Sequence, residues 1–168
     1  MGFKATSSVI TISNSTTELA PNTFIQEEVD LQLSPLDNEV FVVLAIDVAP
    51  QPPNAVAGTD TSTSCSVSTT SRTSVGSIGD NNVLGSGESA IRAGGFVDGG
   101  VGFQQFSGET PTATLDYIGI IATNNFFIQL EGAGNLAARV CATRLWGYRA
   151  KADAATYAAL VQSEVLSV

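Results

Sequence analysis

The carboxylates of residues 27–39 come nearest, by type and spacing, to doing chemistry. Glu27, Glu28 and Asp30 are followed across a turn by Asp37 and Glu39. Such a group invites either a glycosidase-like acid pair or an oxygen-ligated Ca²⁺ site. Spacing argues against both. Neighbours in a strand point to opposite faces, so Glu27 and Glu28 diverge. Asp37-Asn38-Glu39 lacks the EF-hand spacing. These acids read as solvated turn charges, and Asp47, on a strong strand, reads as one half of a structural ion pair with Arg144 or Arg139.

Other chemistries lose their parts. The sequence has no histidine, which removes the commonest general base, a frequent metal ligand, and any Ser-His-Asp or Cys-His arrangement. Gly85-Ser86-Gly87-Glu88-Ser89 lacks the spacing of a nucleophile elbow. Gly94-Gly95 and Gly99-Gly100 lack the strand-to-helix context of a phosphate cradle, and read as loop or bulge glycines. Cys65 and Cys141 stand in unrelated contexts without CxxC spacing. They read as isolated buried thiols, with pairing in an oxidising setting left open. The expectation is a chain without catalytic residues, cofactor, metal or small-molecule substrate.

Arg144, Trp146, Tyr148 and Arg149, together with Tyr117, make an aromatic and basic group. Aromatics interleaved with cations can stack single-stranded bases, but this chain carries a net charge of −9, which a nucleic acid would repel. The group therefore reads as an interface anchor, because Trp, Tyr and Arg are the favoured residues there. Charge is scarce: 14% of residues against roughly 25% in an average domain. It is also uneven, with two basic residues and ten acids in 1–90 but five and six in 91–168. Interface centres are depleted in charge, so this composition fits repeated subunit contact.

The elements that must position these residues are mostly strands. Residues 8–13 are β-branched and short, and Asn14-Ser15-Thr16 breaks the run. Val29, Leu31 and Leu33 alternate with polar residues; Pro35-Leu36-Asp37-Asn38 turns the chain; and residues 40–48 follow, with Val40, Val42, Leu44, Ile46 and Val48 on one face and Phe41, Val43 and Ala45 on the other. A strand apolar on both faces needs cover on both, from a second subunit or an inserted loop. Residues 54–90 are rich in Ser, Thr, Asn and Gly, with 61–71 either an edge strand or a surface loop. Glycines around Phe96, Val101 and Phe106 predict a bulged strand pair. Residues 115–121, 126–130 and 137–148 predict three more strands, with a hairpin at Gly132-Ala133-Gly134-Asn135.

From Asp153, a plausible N-cap, the period changes: Tyr157, Leu160, Val161 and Val165 recur at helical spacing. That stripe packs on its own domain or is donated to a neighbour; the first is the default for an apolar stripe. No stretch approaches the ~18 continuous apolar residues of a membrane span, and the opening Met-Gly-Phe-Lys-Ala-Thr reads as an ordinary leader with a loose acylation pattern at Gly2. The fold class is all-β: a single antiparallel β-sandwich of jelly-roll type over 1–168, with a leader at 1–8 and a short helical tail at 153–168.

This arrangement, carried by residues 29–33, 40–48, 115–121, 126–130 and 137–148, resembles the single-jelly-roll capsid proteins of icosahedral viruses. The resemblance implies a virion structural protein, shell subunit or decoration, that forms homo-oligomers and meets other virion proteins, with leader and tail as locking arms. Many such proteins carry an arginine-rich arm against the genome, whereas this leader has only Lys4. Direct nucleic-acid binding is therefore not expected, and the layer beneath would be a membrane or an inner protein shell. The expected interface residues are Arg144, Trp146, Tyr148, Arg149, Tyr157, Leu160 and Val161. The other reading is a carbohydrate- or surface-binding sandwich, such as an adhesin, pilus or appendage subunit, because the fold class hosts many binders.

Overall fold

The computed structural model describes residues 3–95, 103–108 and 115–166, with backbone alone for 103–108 and 165–166. It contains strands β1 (Phe3–Ala5), β2 (Ile10–Thr17), β3 (Ile25–Asp30), β4 (Glu39–Pro50), β5 (Thr61–Ser68), β6 (Val83–Arg92), β7 (Phe103–Gly108), β8 (Gly119–Ile121), β9 (Asn125–Ala133) and β10 (Val140–Ala152), then helix α1 (Ala154–Leu166). They form two antiparallel sheets packed as a sandwich. In the first, β1 and β2 share one edge of β10, followed by β4 and β8; the second runs β3-β9-β5-β6-β7.

The pairings are nested. β2 pairs with β10, β3 with β9, β4 with β8 and β5 with β6, so the chain behaves as a long two-stranded ribbon wound across both sheets. From β2 to β5 and from β7 to β10, successive strands therefore cross between sheets where turn chemistry alone suggests hairpins. β3 and β4 belong to different sheets, and the turn at 132–135 joins β9 to β10 across the sandwich, with Gly134 at φ 70.

The main core lies between the sheets. Phe41, Val43, Ile121 and Leu145 of the first meet Cys65, Val67, Phe126, Ile128 and Leu130 of the second. Each large apolar side chain removed from water contributes about 1.5–3 kcal/mol. β4 does not keep one apolar face along its length. Its register with β10 shifts between Trp146 and Gly147, leaving Leu44 as an extra residue. That bulge turns Ile46 and Val48 inward, while Val40, Val42 and Leu44 face outward. Gly147 stands at this crossing, where a Cβ would collide with the Val42 carbonyl and the Phe41 ring.

The outward half of β4 is covered by the chain itself. Tyr157, Leu160 and Val161 of α1, with Phe3 and Tyr148, pack on Val40, Val42, Ala122, Ala150 and Ala152. Asp153 caps the helix: its carboxylate accepts from the Thr156 N–H at 2.8 Å and the Thr156 hydroxyl at 3.0 Å. Glu164, on the helix's last turns, accepts from the N–H groups of Ala122 and Thr123 at 2.9 and 3.1 Å. The helix thus packs on its own domain, the default for an apolar stripe; the leader, which the capsid resemblance casts as a locking arm, pairs through β1 with residues 150–152 of β10.

Several sequence expectations need correction. Asn14-Ser15-Thr16 continues β2, because Asn14 and Thr16 donate to Glu27 at 3.2 and 2.9 Å and the strand loses nothing by their polarity. β3 ends at Asp30; Gln32 takes φ 53, and the Leu31 and Leu33 N–H groups bond to Asn124. β5 is interior, flanked by β9 and β6, despite its Ser and Thr. Its buried serine hydroxyls are satisfied: Ser66 Oγ donates to Gln129 Oε1 at 2.7 Å, and Gln129 Nε2 donates to Ser68 Oγ at 2.8 Å, beneath the loop of residues 69–82. β8 spans only Gly119–Ile121, and Leu115 is exposed. Of the glycine-rich bulge, residues 96–102 fall outside the described residues, and β7 pairs with β6.

Candidate self-association surface

Of the carboxylates singled out by spacing, most are engaged structurally. Glu27 takes the two bonds from β2; Glu28 bonds to Asn125, and Asp30 accepts from the Gln32 N–H at 2.8 Å. Glu39 forms an ion pair with Arg149 at 2.7 Å. The open clefts flanking α1 hold about 290 and 220 Å³, below the roughly 300–1,000 Å³ of small-molecule sites.

The seven expected interface residues fall into two groups. Tyr148, Tyr157, Leu160 and Val161 are half-buried in the packing under α1. Arg149 is tied down as well, through Glu39 and through the carbonyls of Leu31 at 2.5 Å and Gln32 at 3.4 Å. Arg144 and Trp146 remain on the other half of the first sheet's outer face, beyond the helix.

That half presents three rows across β2, β10 and β4: Thr11–Trp146–Ala45, Ser13–Arg144–Asp47 and Ser15–Ala142–Ala49. Small side chains make it flat, and the single tryptophan stands half-buried upon it. Arg144 faces Asp47 in register, yet the two do not join. The guanidinium instead donates from Nε to Ser13 Oγ at 3.2 Å and lies 5.9 Å from the centroid of the Trp146 ring. Asp47 is exposed. The patch therefore carries one cation and one anion, side by side and unjoined. A two-fold contact would bring each against its opposite on a second copy.

A second surface was not legible from residue types. At one end of the sandwich Leu19 is 87% exposed and Leu136 75%. Their loops are held by side-chain hydrogen bonds. Asn135 N donates to Asn22 Oδ1 at 2.7 Å, and Asn22 Nδ2 returns to the Asn135 carbonyl at 2.9 Å. Asn54 Oδ1 accepts from the N–H groups of Leu136 and Ala137, both at 3.0 Å. Glu18 accepts from Thr23, Gly132 and Arg139 N–H groups at 2.9, 3.0 and 2.8 Å. Arg139, expected beside Asp47, donates to the carbonyls of Ala137 and Pro52 at 3.1 and 3.0 Å. Exposed leucines on fixed loops would meet a partner at a lower ordering cost than mobile ones. The signal in the sequence was Glu18, the only charge between Lys4 and Glu27.

Comparison of the chain with protein-family models, with curated proteins and with solved structures returns no match.

Proposed function

We propose that the chain is a structural subunit of a virion, shell or decoration, that works by associating with copies of itself. The observation that carries this reading is the flat, self-complementary patch of Trp146, Arg144 and Asp47. The rigid loop end with Leu19 and Leu136 adds a different contact, and two distinct contacts let assembly grow past a dimer. The nested pairing of β2 with β10, β3 with β9, β4 with β8 and β5 with β6 supports a jelly-roll type. Such a fold is common to shell proteins but also to unrelated functions, so the surfaces bear the weight. The net charge of −9 favours a membrane or inner protein layer, rather than nucleic acid, as the neighbour beneath.

Charge exchange tests the patch. Asp47→Arg and Arg144→Asp each leave two like charges facing across the two-fold contact, so each variant alone loses association in sedimentation velocity. Mixing them restores it. Negative-stain images of the wild-type protein then show rings or particles. A monodisperse monomer across wide concentration and salt ranges overturns the proposal; so do variants that associate as the wild type does. A monomer that binds on a glycan array replaces it with the surface-binding reading.

A further inference from the structure

We infer that Cys65 and Cys141 form a disulfide that staples the two sheets when the chain folds in the presence of a disulfide oxidant. The two cysteines belong to opposite sheets. Cys65 is in β5, between Leu130 of β9 and Gly87 of β6; Cys141 is in β10, between Thr16 of β2 and Pro50 of β4. Both lie in the core between the sheets and both are 0% exposed.

Packed sheets ordinarily stand about 10 Å apart, whereas a disulfide needs Cα atoms roughly 4.4–6.8 Å apart. Small residues narrow that gap beside the cysteines. Gly87, the neighbour of Cys65, comes so near β4 that a Cβ upon it would lie 3.2 Å from the Val48 carbonyl oxygen and 3.4 Å from Pro50 Cδ. Pro50 is in turn the neighbour of Cys141. The glycine lets the strands beside the two cysteines approach, and the two side chains, both free thiols in this structure, pack in one core cluster between the sheets. The neighbouring Cys141 thiol, and then burial, push the Cys65 thiol well above its ordinary pKa. Buried and poor in thiolate, Cys65 is slow to react once packed. Oxidation belongs to the folding step, before the core closes.

With oxidised glutathione the reaction balances. One cysteine thiolate attacks a glutathione sulfur, forming a mixed disulfide and releasing one glutathione thiolate. The second cysteine, as thiolate, attacks the protein sulfur of that mixed disulfide and releases the other. Two protein thiols become one disulfide, one glutathione disulfide becomes two glutathione thiols, and the two protons pass to them. The bridge closes a loop of about 76 residues, which restricts the unfolded chain strongly.

The protein is unfolded, then refolded at mildly alkaline pH either with a mixture of oxidised and reduced glutathione or with reductant alone. Thiols are counted after denaturation, and the intact mass is measured. The oxidised sample is expected to show no free thiol, a mass lower by two hydrogens, and a melting temperature higher by about 10 °C that reductant abolishes. Monomer and assembled fractions are counted separately, because the bridge is internal to one chain and independent of association. Two free thiols, glutathione adducts on separate cysteines, or a bridge that lowers the melting temperature overturns the inference. The comparison uses the wild-type chain, so it does not depend on variants that fail to fold. Where Cys65→Ala or Cys141→Ala does fold, the mass and melting shifts are absent.

Discussion

Glu18 sits 3% exposed at the end of β2, and three backbone N–H groups from three segments converge on its carboxylate. A charged acceptor in that position fixes the loops after β2, β9 and into β10 at once, because the Gly132 and Arg139 donors would otherwise be buried without a partner. Glu18→Gln keeps the shape but replaces one acceptor oxygen with an N–H₂ group facing an N–H. A lost charged hydrogen bond of this kind costs about 2 kcal/mol, a fall of about 4–8 °C in melting temperature for a chain of this size. Urea or thermal unfolding checks it. Asp37→Asn, on an exposed turn acid, is expected to stay within about 0.5 kcal/mol of the parent. A similar loss in both would mean that the loop network contributes nothing special.

At the scale of elements, α1 is where sequence and structure agree most closely, for a local reason: cap and apolar period lie within one segment. Asp153 also makes the helix sensitive to acid. The Thr156 N–H, and then its hydroxyl, favour the charged carboxylate and hold its pKa below the ordinary 3.8. Its contribution is complete above that ordinary value and disappears as the pH falls through the lowered one. The melting temperatures of the parent and Asp153→Ala should therefore differ at pH 7 and converge as the pH falls below about 4. A gap that persists in acid would show that the cap acts through its shape alone. β9 and β10 were legible for the same local reason. β5 was not, because Ser66 and Ser68 are buried through partners on Gln129, sixty residues away in the chain. The inserted Leu44 was hidden too: a bulge is a mismatch between two strands, which neither strand records alone. Within the candidate site, Arg144 and Trp146 were legible as an aromatic and basic pair. Tyr148 shares their side of β10 yet is withdrawn from the surface, because α1 covers that half of the sheet. Which half the helix takes depends on the register of the whole sandwich.

For the whole molecule, the opposing terms in association are a net charge of −9 and the balanced Arg144–Asp47 patch. Repulsion between copies acts over the Debye length, about 30 Å at 0.01 M salt but about 10 Å at 0.1 M. Contacts across a closed patch are a few ångströms long and partly shielded from ions, so salt weakens them less than it weakens the repulsion. Association through this patch is therefore expected to strengthen as salt rises from about 0.01 to 0.15 M, as measured by sedimentation velocity at fixed protein concentration. The opposite slope would mean that exposed ion pairs dominate the contact and that the flat surface around Trp146 contributes little. The charge-exchanged variants separate the two terms. Asp47→Arg lowers the net negative charge by two and so weakens the long-range repulsion, yet it puts cation against cation at the contact. If net charge governed assembly, this variant would associate better than its parent at every salt concentration. If the patch governs it, association is lost even where screening is strongest, and only the complementary Arg144→Asp chain brings it back.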